Sequence, residues 1–358
     1  MATISVPGGD SAKRKLEYIR GFGVLLVIAV VGLYIVKWNP YFQRTVTILD
    51  THGYPGLSII SGKSVAPPAL SWGAALGYAR DYFNAIWTAL VLGLLLAATI
   101  ETLVPRDWIA RALGQPSARS SVVAGAIALP GMMCTCCVAP VVVGFRKSGA
   151  AIGSAMAFAL SNPTLNPAVI VFLLFAVGWQ WALLRVGFGL VLVAGGALLA
   201  SRLGGKDLVL PQPQLVGSLP AGSDNLVVRW FKSLGRLIIG LIPEYVVIVL
   251  LLGALRSSLF PAAIAHSGNN PLVMLGVAVA ATLFVIPTGG EIPIIQTLQS
   301  FGLGSGMAGV LLLTLAPLSL PSMAMLSRTF PLRVLAAVAG LTALVGLICG
   351  GVVVVLGL

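Results

Sequence analysis

Leu129-Pro130-Gly131-Met132-Met133-Cys134-Thr135-Cys136-Cys137-Val138-Ala139-Pro140 and Ile286-Pro287-Thr288-Gly289-Gly290-Glu291-Ile292-Pro293 interrupt two long apolar segments with prolines and glycines. Proline lacks the N–H that a helix interior uses, and its ring clashes with the preceding turn. Neither segment therefore reads as one straight helix. A second break follows each of them: Pro163-Thr164-Leu165-Asn166-Pro167 in the first half, Pro317-Leu318-Ser319-Leu320-Pro321 in the second. Pro140 to Pro163 is 23 residues and Pro293 to Pro317 is 24, with Gly149 and Gly153 in one interval and Gly302, Gly304 and Gly306 in the other. A shared order, spacing and Pro-x-x-x-Pro pattern predict an internal duplication.

The surroundings of these breaks decide the solvent. The chain has 358 residues, 58% hydrophobic and only 9% charged, against about 25% charged in soluble domains. Apolar runs near the ~20 residues needed to cross a bilayer recur from Gly21 to the C-terminus. Composition thus excludes a soluble enzyme. The net charge of +12 fits the excess of Lys and Arg in cytoplasmic loops of membrane proteins, and no basic stripe with interleaved aromatics points to nucleic acid.

Lys13, Arg14, Lys15 and Arg20 precede the apolar stretch Gly21 to Val36 without a small-residue cleavage site after it, which predicts a retained anchor helix. A polar stretch over 37–80 then reads as an outer loop. The organisation expected is anchor and loop over 1–80, a first transmembrane repeat over 81–205, a Pro/Gly-rich cytoplasmic linker over 206–228, and a second repeat over 229–358. Each repeat holds four apolar segments, about 82–104, 120–145, 150–177 and 183–201, then 237–255, 271–299, 303–327 and 334–357. If all cross the bilayer, the 22 Lys and Arg residues divide 11 and 11. If the second segment of each repeat is a hairpin returning to its own side, the division becomes 16 inside and 6 outside, which obeys the orientation rule. The fold class expected is an all-α polytopic membrane protein built of inverted structural repeats with Pro/Gly-broken re-entrant hairpins. It has seven full crossings, sits in the inner membrane and keeps its N-terminus in the cytoplasm. Inverted repeats with broken helices near the midplane are a secondary-transporter plan.

Three of the four cysteines fall in Cys134-Thr135-Cys136-Cys137, beside Met132 and Met133. Thiolates and thioethers suit Cu(I), other soft metals and trivalent arsenic, and an irregular turn would let Cys134, Cys136 and Cys137 converge on one centre. The bland alternative is that Cys and Met fill space, which is the reading for Cys349. Glu291 is the one charge between Arg256 and Arg328; an ionisable group at membrane depth is a functional candidate, so Glu291, with Glu244, is read as the coupling group for protons or another ion. Glu101 reads as an interfacial salt-bridge partner. The amides of Asn162 and Asn166 donate and accept, so they either contact substrate or tie off broken carbonyls; Ser319 and Ser322 hold similar places in the second repeat. Arg146-Lys147 reads as positive-inside anchoring, and His52 and His266 as incidental. No nucleotide-binding loop is present, and no cofactor is expected.

The Cys-containing turn ending in Pro140, the stretch Gly144-Phe145-Arg146-Lys147 with Gly149 and Gly153, and Ser161-Asn162-Pro163-Thr164-Leu165-Asn166-Pro167 resemble the predicted permeases that include the ArsP-type organoarsenical efflux proteins. The resemblance extends more loosely over the second repeat. It implies a multi-spanning permease and, from the arsenical exporters, cysteines associated with trivalent organoarsenicals. Three near-adjacent cysteines are denser than the family pattern, so other thiophilic cargo stays open. The reading is a secondary permease for a small thiophilic solute in contact with membrane lipid. Cys134, Cys136, Cys137, Met133, Asn162 and Asn166 would bind that solute. A Cu(I) or soft-metal carrier using the three cysteines with Met132 and Met133, a transporter of a sulfur compound, and a membrane thiol–disulfide oxidoreductase are the alternatives.

Overall fold

The computed structural model describes residues 9–51, 53–62, 67–104, 106–205, 226–261, 264 and 267–358. His52, His266, most of the linker over 206–228 and the side chains of Lys13, Arg14, Lys15 and Arg20 lie outside what is described. The described residues form helices and no named strand. Helix α1 (Gly9–Leu33) continues through a π-helical segment, Tyr34–Trp38, into α2 (Asn39–Thr51). Then come α3 (Trp72–Leu103), α4 (Arg106–Leu113), α5 (Ala118–Ala128), α6 (Thr135–Lys147), α7 (Ile152–Thr164), α8 (Pro167–Ala176) and α9 (Trp179–Leu203). The second half holds α10 (Leu226–Leu259), α11 (Pro271–Leu283), α12 (Glu291–Ser300), α13 (Ser305–Thr314), α14 (Leu320–Leu326) and α15 (Leu332–Leu356).

Among the described residues six helices are long and apolar enough to cross a membrane: Gly21–Thr51, Trp72–Leu103, Ile152–Ala176, Trp179–Leu203, Val227–Leu259 and Leu332–Leu356. The seventh expected crossing, 303–327, is divided into α13 and α14, with Pro317 in the gap. Apolar side chains point outward as well as inward: on α9, Leu183, Leu190, Val191 and Leu198 are exposed while Leu192 and Ala200 are fully buried. A helix that is apolar all round belongs in hydrocarbon. The chain is an all-α polytopic membrane protein.

Two sequence expectations are corrected. The stretch after Val36 is not an outer loop from Lys37 onward, because the first helix runs on to Thr51. Pro40 would break a regular helix, but just ahead of it Asn39 N–H reaches back to Tyr34 O, a π-type bond, and such a bulge re-spaces the ladder around a proline. The next crossing also starts early, at Trp72 with Ser71 as its cap.

α3 packs against α10, and α9 against α15. In the first half α7 packs between α5 and α9, and in the second α13 packs between α11 and α15. Small residues permit these contacts, as they do where membrane helices approach closely: Gly350 of α15 lies against Gly306 O of α13, and Gly153 of α7 against Ala197 O of α9.

Candidate functional site

The first break, Leu129–Cys134, ends α5 and starts α6. Met132 is the one non-glycine with positive φ among the described residues, at 48°. That left-handed conformation costs an L-residue roughly 1–2 kcal/mol. Three contacts hold the turn in it. Trp38 Nε1 donates to Pro130 O at 2.8 Å, Tyr41 Oη to Met132 O at 3.3 Å, and Met133 N–H to Asn162 Oδ1 at 3.2 Å. The first helix thus straps the turn from one side and the α7 break secures it from the other.

Cys134 follows as the extended N-cap of α6 (φ −72°, ψ 164°). An N-cap side chain and the residue three positions on lie together over the first turn, so Cys134 and Cys137 meet, Sγ to Sγ 2.7 Å, both as free thiols. Cys136 leaves the pair: its Sγ lies 3.4 Å from Ser319 Oγ and interacts with the hydroxyls of Tyr82 and Tyr245, which are themselves 2.8 Å apart. All three cysteines are buried. The three-thiol convergence expected from sequence is therefore a pair plus one, because the irregular backbone ends at Cys134 and Cys136 already belongs to regular helix. Among the described residues no group of three or more His, Cys, Asp or Glu is placed to hold a metal ion.

The second break, Phe284–Gly290, carries Gly289 at φ 79° and ends where Glu291 opens α12. Glu291 is 1% exposed, and its Oε1 lies 2.9 Å from Arg185 Nη2 on α9. Arg185 is fully buried, not in an outer loop. It also donates to Thr164 O at 2.8 Å, to Pro163 O at 3.0 Å, and to Leu312 O. One guanidinium, with its five fixed donors, thus joins the α7–α8 break, the end of α13 and the second tip. Glu291 Oε2 has no partner.

The remaining candidates scatter. Asn162 Oδ1 serves Met133, and Asn166 Oδ1 caps α8 by accepting from Ala168 N–H at 3.0 Å. Both amide Nδ2 atoms are buried and unpartnered. Each Asn therefore ties off backbone with its oxygen and keeps its donors. Met133 is buried beside the pair. Glu244 sits in a half-exposed pair with Arg328 at 2.9 Å. Glu101 is an ion-pair partner as expected, of Lys147 at 2.7 Å, and it also accepts from Ser233. Cys349 is buried in α15.

Sequence reading missed Lys37, Tyr41, Arg185 and Gly93. Any Cβ on Gly93 would collide with Cys137 O, so this glycine is what lets α3 lie against the thiol-bearing turn. Arg185 carried a usable signal: a charge inside an apolar segment, the criterion that singled out Glu291.

Residues 14–135 and 131–355 match the predicted-permease family ArsP_1. The chain belongs to this family. UPF0718 protein YraQ of Escherichia coli strain K12 is 40% identical over 328 residues, covering 92% of this chain and 93% of YraQ. UPF0718 protein MJ0584 of Methanocaldococcus jannaschii is 22% identical over 336 residues, covering 75% of this chain and 92% of its own. No solved structure matches. A predicted permease is a transporter rather than an enzyme, which sets the oxidoreductase alternative aside.

Proposed function

We propose that this permease moves a small thiophilic solute between two re-entrant hairpin tips, and that the Cys134–Cys137 pair binds it. The observation that carries the reading is the meeting of two free thiols at a strained, strapped turn in a membrane interior. Trivalent organoarsenicals are the best candidate cargo. Such a solute, R–As(OH)2, takes two thiols as R–As(SR′)2 and releases two waters, with no change of oxidation state. Two thiols suffice for Cu(I) as well, but they hold it from opposite sides, whereas the two As–S bonds of an arsenical are sharply angled and suit sulfurs that already touch.

The hairpin reading rests on helix length. α5, α6, α11 and α12 have 11, 13, 13 and 10 residues, about 15–20 Å each at 1.5 Å per residue, half of a bilayer core. The contacts of α3 with α10 and of α9 with α15 pair equivalent helices of the two halves, as a twofold between inverted repeats would. Orientation follows from charge. Of the six basic residues assigned outside, Lys37, Arg185 and Arg256 are buried, as is Arg146 of those assigned inside, so fewer outside charges than the count oppose this orientation. Reporter fusions after Lys147 and after Gly205 should both read as cytoplasmic. A periplasmic signal at Lys147 would remove the first hairpin.

Coupling is assigned to Glu291, with Glu244 the alternative. An exposed pair such as Glu244–Arg328 contributes about 0–1 kcal/mol, whereas Glu291 has one oxygen paired and one free in the interior. Glu291→Gln should keep solute binding within a few fold and lose the response of transport to an imposed pH gradient, measured in vesicles beside Glu244→Gln. An unchanged response in Glu291→Gln and a lost one in Glu244→Gln would move coupling to the rim.

A further inference from the structure

A cavity of about 270 Å³ lies between the π-helical segment, α3 and the second hairpin tip. Its wall holds two cationic side chains, Lys37 and Arg44, with Tyr41, Tyr54 and Thr288, and no Asp or Glu. Lys37 is 8% exposed. Among the described residues neither cation has a carboxylate partner: Lys37 Nζ donates to Tyr41 Oη at 3.2 Å and Arg44 Nη1 to Tyr54 Oη at 2.8 Å. A cation at membrane depth is costly unless something compensates it, and two phenols do not neutralise two charges. The N-cap of α12, Gly290, lines the cavity, and the Glu291 carboxylate beside it pairs through Oε1 with Arg185 while lying close enough to act on Tyr54 in the wall. Thr288 Oγ1, also in the wall, is buried without a partner.

No cysteine lines the cavity, but its wall reaches the thiol-bearing turn through Tyr41. Tyr41 Oη receives Lys37 Nζ and donates to Met132 O, just ahead of Cys134. Half-helix N-termini and fixed cations at a midplane break are how transporters of this plan hold anionic groups. We propose that this cavity binds a small oxoanion through Lys37 and Arg44, and that the arsenical cargo of the permease carries such an anionic group on R, its oxygens held here and its arsenic at Cys134 and Cys137. The second clause rests on the function proposed above; the first stands on the cavity alone.

A phenylarsonous acid bearing a ring sulfonate carries anionic oxygens and a thiophilic arsenic(III), and benzenesulfonate has the anionic oxygens only, so the two probe the thiol pair and the anion site separately. Binding of each to the purified full-length protein in detergent is measured by equilibrium dialysis at fixed ionic strength. Both anions are expected to bind saturably, the arsenical the tighter. Lys37→Met should weaken both at least tenfold while Lys37→Arg retains them. Arg44→Gln, at a half-buried position, should weaken both as well and guards against a folding defect in Lys37→Met. Cys134→Ser should bring the sulfonated arsenical close to the affinity of benzenesulfonate. Absence of saturable binding of either anion, or unchanged binding in both Lys37→Met and Arg44→Gln, overturns the anion site. Equal affinity of the two anions in the unsubstituted protein, with loss in Lys37→Met, upholds the anion site and overturns the thiol reading.

Discussion

Arg185→Gln is expected to be the most damaging single substitution in the chain. It leaves the Glu291 carboxylate, 1% exposed, without its cation, and it frees the carbonyls of Pro163, Thr164 and Leu312 that the guanidinium satisfies. Breaking a buried ion pair by removing one partner costs about 3–5 kcal/mol, and each orphaned carbonyl adds to that. The yield of monodisperse protein in detergent should collapse, and what remains should unfold at lower temperature. Glu291→Gln should be milder, because Arg185 keeps three carbonyl acceptors and an amide oxygen in place of the carboxylate. Arg185→Gln/Glu291→Gln should be more stable than Arg185→Gln alone. An Arg185→Gln protein as stable as the parent would show that the pair does not hold the helix breaks together.

The second large effect belongs to the thiols. Two attachments to one solute make the second intramolecular, a gain of about 10²–10⁴ in affinity. Cys134→Ser and Cys137→Ser should each lose about that factor for a trivalent organoarsenical, titrated against the purified protein. Cys136→Ser should lose much less, since Cys136 faces Ser319 and the tyrosine hydroxyls. Cys349→Ser should change nothing. Equal losses at positions 134, 136 and 137 would restore a three-thiol centre and contradict the pair.

The helix breaks were legible in part because proline acts locally: each Pro/Gly cluster read as a break contains a gap between helices, at 129–134, 165–166, 284–290 and 315–319, although Pro140, Pro163 and Pro293 themselves lie inside helices. The thiol pair was only partly legible, since which two of three cysteines meet depends on where α6 begins. Lys37 was misplaced for an instructive reason. Lys-Trp-Asn-Pro reads as a helix end, and a π-type bond that carries the helix past Pro40 has no sequence signature of its own. The partner of Glu291 was also out of reach, because Arg185 sits 106 positions earlier and nothing local connects them. Lys37, Tyr41 and Arg44 share the cavity wall with the second tip only because the first helix lies across it, which periodicity does not encode.

The central claim is that a solute crosses this membrane protein by way of Cys134 and Cys137. Flux of a trivalent organoarsenical into proteoliposomes containing the purified protein, followed by arsenic mass spectrometry, tests it most directly. Saturable flux well above that of protein-free liposomes is expected, abolished in a folded Cys134→Ser/Cys137→Ser protein. Flux equal to that of empty liposomes, or saturable flux that persists in the double variant, would contradict it.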